Sequence, residues 1–373
     1  MKSNKKKILF SYLTSFSGFG GIEKFNKAFI KALSETDHTD CTFFSVYDTD
    51  FNKQYLSNGK FKTAKGSKLK FVFWSFFNAL KSDIFFLGHI NLSITAVLTK
   101  LFSPQTKLIV ITHGIDIWSD LSFIKKHALK KADKIIAVSN FTKQKIISEH
   151  KIRKNKIVVF PNTIDPFFPL TKTFEKPQYL LKRYEINSER PVILTVARLS
   201  AQEGYKGYDN VLKTLPKLLE KYPNLLYLIV GKYDIKEKQR LDKIINKLKI
   251  NKHVLFTGFI EESELTDHFR LGNVFIMPSE NEGFGIVFIE ALVCGLPVIA
   301  GNIDGSVDAL DNGNFGTLVN PENIEIIESS LATILKKSFS ENNATKLNRQ
   351  KKVLEKFGFS QYKKNLNFLL NNL

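Results

Sequence analysis

Short apolar runs alternate with longer amphipathic stretches along the chain, and this alternation predicts its secondary structure. Ten apolar runs, five in each half, have the length and composition of buried strands. The predicted strands are Ile8 to Leu13, Asp83 to Leu87, Lys107 to Thr112, Lys134 to Val138, Lys156 to Phe160, Val192 to Val196, Leu225 to Val230, His253 to Thr257, Val274 to Met277 and Pro297 to Ala300. Helical spacing lies between them, as in Ile22 to Leu33 and Asn140 to His150. The strand–helix–strand pattern, used twice, predicts an α/β protein with two doubly wound, Rossmann-like domains.

The boundary between these domains is marked by proline. Five of the eleven prolines fall between the two series of strands, and proline favours extended chain. They are Pro161, Pro166, Pro169, Pro177 and Pro191. We therefore predict an N-terminal domain over residues 1–165, a linker over 166–190 and a C-terminal domain over 191–355. Ligands of such sheets bind beyond the carboxyl ends of strands, so we expect a cleft between the domains.

Composition narrows the class of protein. Charged residues make up 24% and aromatic residues 12% of the 373 residues, which is ordinary for a folded globular chain. Cys41 and Cys294 are the only cysteines, so a disulfide framework or a cysteine zinc site is not expected. The apolar run after the basic N-terminus is too short for a signal peptide, and no run of 18 apolar residues occurs. We expect a cytoplasmic protein.

The net charge of +19 is concentrated in the first half. Residues 1–165 contain 27 of the 55 Lys and Arg but only 12 of the 36 Asp and Glu. Lysines between Lys60 and Lys70 precede an aromatic segment over 71–77, and a basic helical pattern follows over 123–131. Lysines beside aromatic residues are typical of surfaces that bind anionic membranes, although a solvated face beside a buried core is the alternative. Because no nucleic-acid-binding module accompanies the charge, no nucleic acid is expected as a partner.

The most informative segment is the glycine-containing loop after the predicted strand Val274 to Met277. Gly283 and Gly285 allow close approach of a ligand to the backbone, and a helix is predicted from Ile286. Its first N–H groups suit a phosphate, whereas the carboxylates of Glu282 and Glu290 suit sugar or ribose hydroxyls. A glycine turn with an incidental capping glutamate is the structural alternative.

This segment resembles the family 4 glycosyltransferases, retaining enzymes of the GT-B fold whose signature is Glu-x7-Glu preceding a helix. Glu282 and Glu290 match that signature. Further matches follow the family's order over nearly the whole chain, at residues 20–23, 112–116, 137–140, 161–165, 196–199 and 205–207. The resemblance implies two Rossmann-like domains that face each other across a cleft. It also implies that a final helix over residues 356–373 returns to the N-terminal domain.

The resemblance also implies a set of donor-binding residues. It implies that Arg198 and Lys206 bind the diphosphate of a nucleotide sugar, that Glu290 binds its ribose, and that Glu282 acts on the sugar in catalysis. The remaining donor-binding residues that it implies are Gly21, Phe259, Ile260, Phe284, Gly285 and Ile286. In the N-terminal half it implies that His113 is catalytic and contacts the donor sugar, and we predict that Gly20 and Asp116 contact the acceptor. Read alone, a glycine pair is more often a tight turn and a lone histidine is more often structural.

Other motifs point elsewhere or leave a question open. Asp48 and Asp50 form an Asp-x-Asp motif, which in the GT-A fold holds a divalent metal, but such matches are frequent by chance. The histidines show no zinc-binding spacing, so we expect no metal and no cofactor. Residues 301–306 occupy the place of the family's Gly-Gly-x-Pro-Glu loop, and this departure leaves the role of Asp304 open.

Together these observations predict a retaining, metal-independent glycosyltransferase that moves a sugar from a UDP- or GDP-sugar to a glycan or lipid-linked acceptor. Surface polysaccharide, lipopolysaccharide or glycolipid biosynthesis is the expected context, with the protein peripheral on the inner face of the cytoplasmic membrane. The alternatives are a GT-B protein that binds a nucleotide sugar without catalysis and a nucleotide-sugar epimerase.

Overall fold

The computed structural model describes residues 5–373, which divide into two compact units. Unit 1 comprises the chain up to Pro166 together with Phe357–Leu373, and unit 2 comprises Phe167–Lys356. Each unit contains its own parallel sheet with helices between the strands, so the predicted α/β architecture with two Rossmann-like sheets is confirmed.

The sheet of unit 1 has seven parallel strands in the order β3-β2-β1-β4-β5-β6-β7. The strands are β1 (Lys6–Tyr12), β2 (Thr39–Ser45), β3 (Lys60–Thr63), β4 (Ile84–Leu87), β5 (Lys107–Thr112), β6 (Lys134–Ala137) and β7 (Ile157–Val159). In its register, Ile8 of β1 lies opposite Cys41 of β2 on one side and Ile84 of β4 on the other. The order reverses at β1 and β4, and such a switch point is where doubly wound sheets bind ligands.

Helices cover both faces of this sheet. They are α1 (Gly21–Ser34), α2 (Lys68–Ala79), α3 (Ser93–Phe102), α4 (Ile115–Trp118), α5 (Phe123–Lys131) and α6 (Asn140–His150). Side chains alternate between the faces along β1. Leu9 joins the core beneath α2, α3 and α5, whereas the ring of Phe10 packs on Phe29 of α1 with 5.0 Å between the centroids. The helices α2, α3 and α5 therefore form one layer, opposite α1.

Unit 2 has six parallel strands in the order β10-β9-β8-β11-β12-β13. The strands are β8 (Val192–Val196), β9 (Leu226–Val230), β10 (Val254–Gly258), β11 (Val274–Met277), β12 (Val298–Gly301) and β13 (Thr317–Val319). The helices of unit 2 are α7 (Gln178–Arg183), α8 (Tyr208–Lys221), α9 (Ile235–Leu248), α10 (Leu265–Leu271), α11 (Ile286–Val293), α12 (Ser306–Ala309), α13 (Ile324–Ser338) and, up to Lys356, α14 (Asn343–Phe357). One more helix, α15 (Phe359–Asn371), follows in the chain. Because β8, β11 and β12 are neighbours, the loops at their carboxyl ends lie side by side.

The last helix, α15, belongs to unit 1 and packs against α1. The ring of Tyr362 lies 4.6 Å from that of Phe160 and 6.4 Å from that of Phe25, measured between centroids. The N–H of Ile164 donates to the carbonyl of Phe357 over 2.9 Å. Apolar packing and a backbone hydrogen bond thus fix the end of the chain to unit 1.

The structure departs from the predicted elements in places. Strands β2, β3 and β13 were not predicted, and α7 lies within residues 166–190, which we expected to be an extended linker. Both cysteines are buried free thiols, and burial raises the pKa of Cys41 to about 11. Within residues 5–373, every helix is too short or too polar to cross a bilayer.

Candidate functional site

The loops after β8 and β11 are held against each other by close backbone contact. Gly207 follows the loop after β8 and has a φ of 76°, a left-handed conformation that favours glycine. A Cβ atom at this position would collide with the carbonyl of Pro278, which begins the loop after β11. In addition, the N–H of Glu280 donates to the carbonyl of Tyr205 over 2.9 Å. The two loops therefore form one surface.

This surface holds two cations beside two carboxylates. The ammonium of Lys206 lies 3.1 Å from Oε1 of Glu282 and 3.7 Å from Oε2 of Glu203, and all three side chains are largely buried. Arg198 pairs with the same Glu203, but its own side chain is 68% exposed. Burial alone lowers the pKa of Lys206, but Glu282, Tyr205 and Glu203 outweigh it and raise the pKa above its ordinary value. Lys206 is therefore a fixed positive charge at neutral pH.

Glu203 is a site residue that the sequence prediction missed. It contacts both Arg198 and Lys206 and is buried between them. The sequence does contain a signal for this contact, because Glu203 lies three residues before Lys206. A glutamate at that spacing in a helical turn reaches the ammonium of the lysine. The carboxylate holds the two cations in place, and a diphosphate, which offers more acceptor oxygens, would compete with it for them.

Asp304 fixes the backbone of the loop that contains Glu282. Its fully buried carboxylate accepts hydrogen bonds from Oγ of Ser279 and from the N–H of Glu282, each over 2.7 Å, and from the N–H of Ser306 over 2.8 Å. The N–H of Gly305 donates to the carbonyl of Glu282 over 2.8 Å. Both peptide groups of Glu282 are thus tied to the loop after β12, although burial raises the pKa of Asp304 to about 6.

The glycine loop ends where helix α11 begins. Gly285 has a φ of 85°, and a Cβ atom there would collide with the ring of Phe288. Ile286 is the first residue of α11, as predicted, so the N–H groups of the first turn can donate to an anion. Phe284, before the helix, is buried, and Glu290, one turn into it, is 1% exposed. This places the first predicted glutamate in the loop and the second within the helix.

Two of the predicted donor-binding residues, Phe259 and Ile260, lie at another edge of the same sheet. Phe259 and Ile260 follow β10, which is separated from β8 by β9. Phe259 is 53% exposed, and Gly258 before it has a φ of 74°. The structure therefore brings Arg198, Lys206 and Glu282 together and places Phe259 and Ile260 two strands away.

In unit 1, the predicted His113 follows β5 and is fixed by two hydrogen bonds. Its Nε2 donates to the carbonyl of Gly88 over 2.8 Å, and its backbone N–H donates to Oδ1 of Asp116 over 3.0 Å. The ring of His89 lies 6.1 Å from that of His113, measured between centroids. Burial lowers the pKa of His113 to about 4 and that of His89 to about 3. His113 is therefore neutral at pH 7, and its Nδ1 is the ring atom that can accept a hydrogen bond.

Asp116 lies next to His113 and is only half satisfied. Its Oδ2 is buried and has no hydrogen-bond partner among the described residues. Burial raises the pKa of Asp116 to about 7, although the N–H groups of His113 and Gly114 lower it. A buried carboxyl group with a spare oxygen can bind a hydroxyl group.

The predicted residues Gly20 and Gly21 lie at the start of α1, at the carboxyl end of β1.

The Asp-x-Asp motif has a structural use. The buried carboxylate of Asp48 accepts hydrogen bonds from the N–H groups of residues 15–17, over 2.9 to 3.1 Å, and from Oγ1 of Thr14 over 2.7 Å. Asp50 accepts a hydrogen bond from the next residue, Phe51. Asp48 thus orders the loop between β1 and α1. Among the described residues, no three His, Cys, Asp or Glu are grouped in a way that could hold a metal ion.

Two family profiles together match most of the chain. The profile described as "Glycosyltransferase Family 4" matches residues 19–167, and the one described as "Glycosyl transferases group 1" matches residues 179–352. The first match contains the surroundings of His113, and the second contains the loops around Lys206, Glu282 and Asp304.

Individual relatives carry names from the same class. The chain is 29% identical over 242 residues to the GDP-mannose-dependent alpha-(1-6)-phosphatidylinositol monomannoside mannosyltransferase of Mycolicibacterium smegmatis, and the match spans 61% of each chain. It is 29% identical over 286 residues to an uncharacterized 41.2 kDa protein in the cps region of Klebsiella pneumoniae, covering 70% of this chain and 74% of that one. The crystal structure of Anabaena Alr3699/HepE in complex with UDP and glucose matches with a TM-score of 0.79 and 18% identity, covering 99% of this chain and 100% of that one.

Proposed function

The chain belongs to glycosyltransferase family 4 and has the GT-B fold, and on this premise we propose that it is a retaining, metal-independent glycosyltransferase. In this proposal, unit 2 binds a nucleotide-diphosphate sugar at the loops after β8, β11 and β12. The sugar is transferred to a glycan or lipid-linked acceptor, and the nucleotide diphosphate leaves.

The observation that carries the proposal is the pairing of Lys206 with Glu282 beside Arg198. Breaking the bond between a sugar and a diphosphate places additional negative charge on the phosphate oxygens, which nearby cations stabilise. Lys206 stays protonated because of its carboxylate neighbours. Since a lysine and an arginine supply positive charge in this surface, the proposal assigns charge stabilisation to them and requires no metal ion.

The fixed position of Glu282 supports a role for this residue in the transfer. Its side chain contacts Lys206, and its backbone is bonded to Asp304 and Gly305. We assign Glu282 to the donor sugar, Glu290 to the ribose, and the N–H groups of Phe284, Gly285 and Ile286 to the phosphate and sugar. A fixed carboxylate loses little conformational entropy when it binds the reacting group, which favours catalysis.

The names of the relatives support the proposed donor and acceptor classes. The Anabaena structure holds UDP and glucose, whereas the mycobacterial relative is named for GDP-mannose, so either nucleotide is proposed here. That relative is also named for a phosphatidylinositol acceptor, and the Klebsiella relative lies in a cps region. We therefore assign the protein to surface polysaccharide or glycolipid biosynthesis, peripheral on the inner face of the cytoplasmic membrane.

Unit 1 is assigned the contacts near the reacting carbon and the acceptor. A neutral His113 with a free Nδ1 accepts a hydrogen bond from a sugar hydroxyl, and Asp116 binds an acceptor hydroxyl through Oδ2. Both roles are proposals that rest on the neutral histidine and on the spare carboxyl oxygen.

Thermal stability against a panel of UDP, GDP, ADP and their common sugars, with and without EDTA, tests the donor site. A ligand that binds only the folded state raises the melting temperature. We expect one nucleotide class to raise it equally in both conditions, and the rise to be lost in Lys206→Met but kept in Lys243→Gln, an exposed lysine of α9. A rise that EDTA abolishes contradicts metal independence. No rise with any nucleotide contradicts the donor site.

A further inference from the structure

Three neighbouring helices of unit 1 expose large apolar side chains on their outer surface. Helices α2, α3 and α5 lie in one layer over the sheet. Their outward residues include Leu69 and Phe73 of α2, which are 86% and 67% exposed, and Phe123 of α5, which is 82% exposed. We call this surface the aromatic face. It consists of Leu69, Phe73, Phe77, Leu101, Phe102 and Phe123.

The apolar residues of α2 and α3 form a continuous patch. The ring of Phe77 lies 4.4 Å from that of Phe73 and 5.1 Å from that of Phe76, and Phe76 lies 5.6 Å from Phe102 of α3, all measured between centroids. A groove of about 650 Å³ on this patch is lined by side chains of α2 and by Leu98 of α3. Contiguous exposed apolar surface of this kind is typical of an interaction site.

The charge around the aromatic face is mostly positive. Six lysines and no acidic residue occur between Lys60 and Lys81, and the helices α2, α3 and α5 contain no Asp or Glu at all. Some of the cations are compensated, since Lys100 pairs with Asp133 and Lys126 pairs with Asp120. The exposed lysines at the start of α2 are Lys68 and Lys70, and those at the end of α5 are Lys130 and Lys131.

We propose that the aromatic face docks on the surface of an anionic lipid bilayer. Lysines are attracted to anionic headgroups, while phenylalanine and leucine side chains enter the boundary between headgroups and acyl chains. A second copy of this chain fits less well, because pairing two such faces would oppose lysine to lysine. The combination of lysines with apolar residues therefore selects a membrane surface.

Helix α5, which contributes Phe123 to the aromatic face, packs beside strand β5, and His113 and Asp116 follow that strand. Lys125 of α5 lowers the pKa of His89, after burial and His113, and it lowers that of Asp116, so its charge acts on both groups. This inference rests on the proposed peripheral membrane location and deepens it by naming the surface of unit 1 that binds, and it can be tested without any donor.

Co-sedimentation of the full chain with vesicles tests the proposal. The vesicles are phosphatidylcholine alone or phosphatidylcholine with about 30% phosphatidylglycerol, which gives the vesicle surface a negative potential. The apolar variant is Leu69→Gln with Phe73→Gln, and its matched control is Phe368→Gln, a 74% exposed phenylalanine of α15. The charge variant is Lys68→Gln with Lys70→Gln, and its matched control is Lys243→Gln with Lys247→Gln on α9 of unit 2.

We expect the wild type to bind the anionic vesicles, with binding that weakens as salt rises. The apolar variant and the charge variant should both have a lower partition coefficient than the wild type, and in the charge variant it should fall by roughly tenfold or more. The partition coefficients of the controls should stay within about twofold of the wild type. Unchanged melting temperatures show that the variants are folded. Equal binding by variants and controls overturns the proposal, as does the absence of binding to anionic vesicles. A dimer in solution that Phe73→Gln dissociates also overturns it in favour of a second copy.

Discussion

Replacement of Asp304 by asparagine isolates the contact that orders the Glu282 loop. Asparagine has nearly the same size but only one acceptor oxygen. The carboxylate accepts from Oγ of Ser279 and from the N–H groups of Glu282 and Ser306. The amide NH₂ group of the variant must face one of these donors, so at least one buried donor loses its partner.

The size of the effect follows from that lost hydrogen bond. A buried donor without a partner costs about 1–3 kcal/mol. The N–H of Glu282 belongs to the loop that is assigned to the donor. If the loop conformation that binds the donor is raised in free energy by about 2 kcal/mol, the dissociation constant of the donor rises on the order of 30-fold. Protonation has a similar effect on the wild type, because the pKa of Asp304 is about 6. Wild-type affinity should therefore fall as the pH drops below 6, and that of the variant should not.

Isothermal titration calorimetry with the nucleotide that stabilises the protein measures this change. The matched control is Glu237→Gln, another buried carboxylate of unit 2, which binds Tyr208 and Arg240. Both substitutions should lower the melting temperature, but only Asp304→Asn should weaken nucleotide binding. An affinity within twofold of the wild type in Asp304→Asn refutes the positioning role, and equal weakening in the control shows that the loss is general.

Three further predictions concern catalysis by Glu282, the turn at Gly207 and the protonation of His113. Glu282→Gln should lower kcat by about 100-fold or more in a nucleotide-release assay, since charge stabilisation at the reacting centre is lost. The control Glu280→Gln should keep a kcat near that of the wild type. Equal kcat values for the two variants contradict the catalytic role of Glu282. Gly207→Ala should destabilise the protein in urea denaturation by about 1–3 kcal/mol, because its φ is positive and a Cβ atom meets a carbonyl, whereas Gly204→Ala, with open space around it, should be nearly neutral. Because the pKa of His113 is lowered to about 4, the folded protein is destabilised as the pH falls from about 6.5 towards 4, where the histidine is protonated more readily in the unfolded chain. Over this range the free energy of unfolding of the wild type should fall by roughly 3 kcal/mol more than that of His113→Asn. Equal losses in the two proteins contradict the buried neutral histidine.

The sequence predicted the buried strands well because their apolar runs are unambiguous. Lys107–Thr112, Val192–Val196 and Val274–Met277 match the prediction at both ends. The sequence pattern did not predict β3 (Lys60–Thr63), an edge strand in which two of the four residues are lysine. This strand therefore contains no apolar run from which it could be predicted. Edge strands pair on one side only and tolerate charge, which explains the missing pattern.

The site was predicted only in part, because spacing along the chain does not show which side chains pair across loops. The family motif drew attention to Lys206 and Glu282, which the structure places 3.1 Å apart. Glu203 and Asp304 lie outside the motif, and their contacts depend on loops that meet only in the folded sheet. The resemblance left Asp304 without a role, and three hydrogen bonds to its carboxylate supply one.

Sugar transfer itself is tested by incubating the full chain with UDP-glucose or GDP-mannose, with and without a lipid extract as acceptor, and analysing nucleotides and sugars by mass spectrometry. We expect acceptor-dependent release of UDP or GDP together with a product one hexose heavier, and loss of both in Glu282→Gln. Donor binding without any release would contradict catalysis and favour a binding protein. A changed sugar in the absence of acceptor would indicate an epimerase.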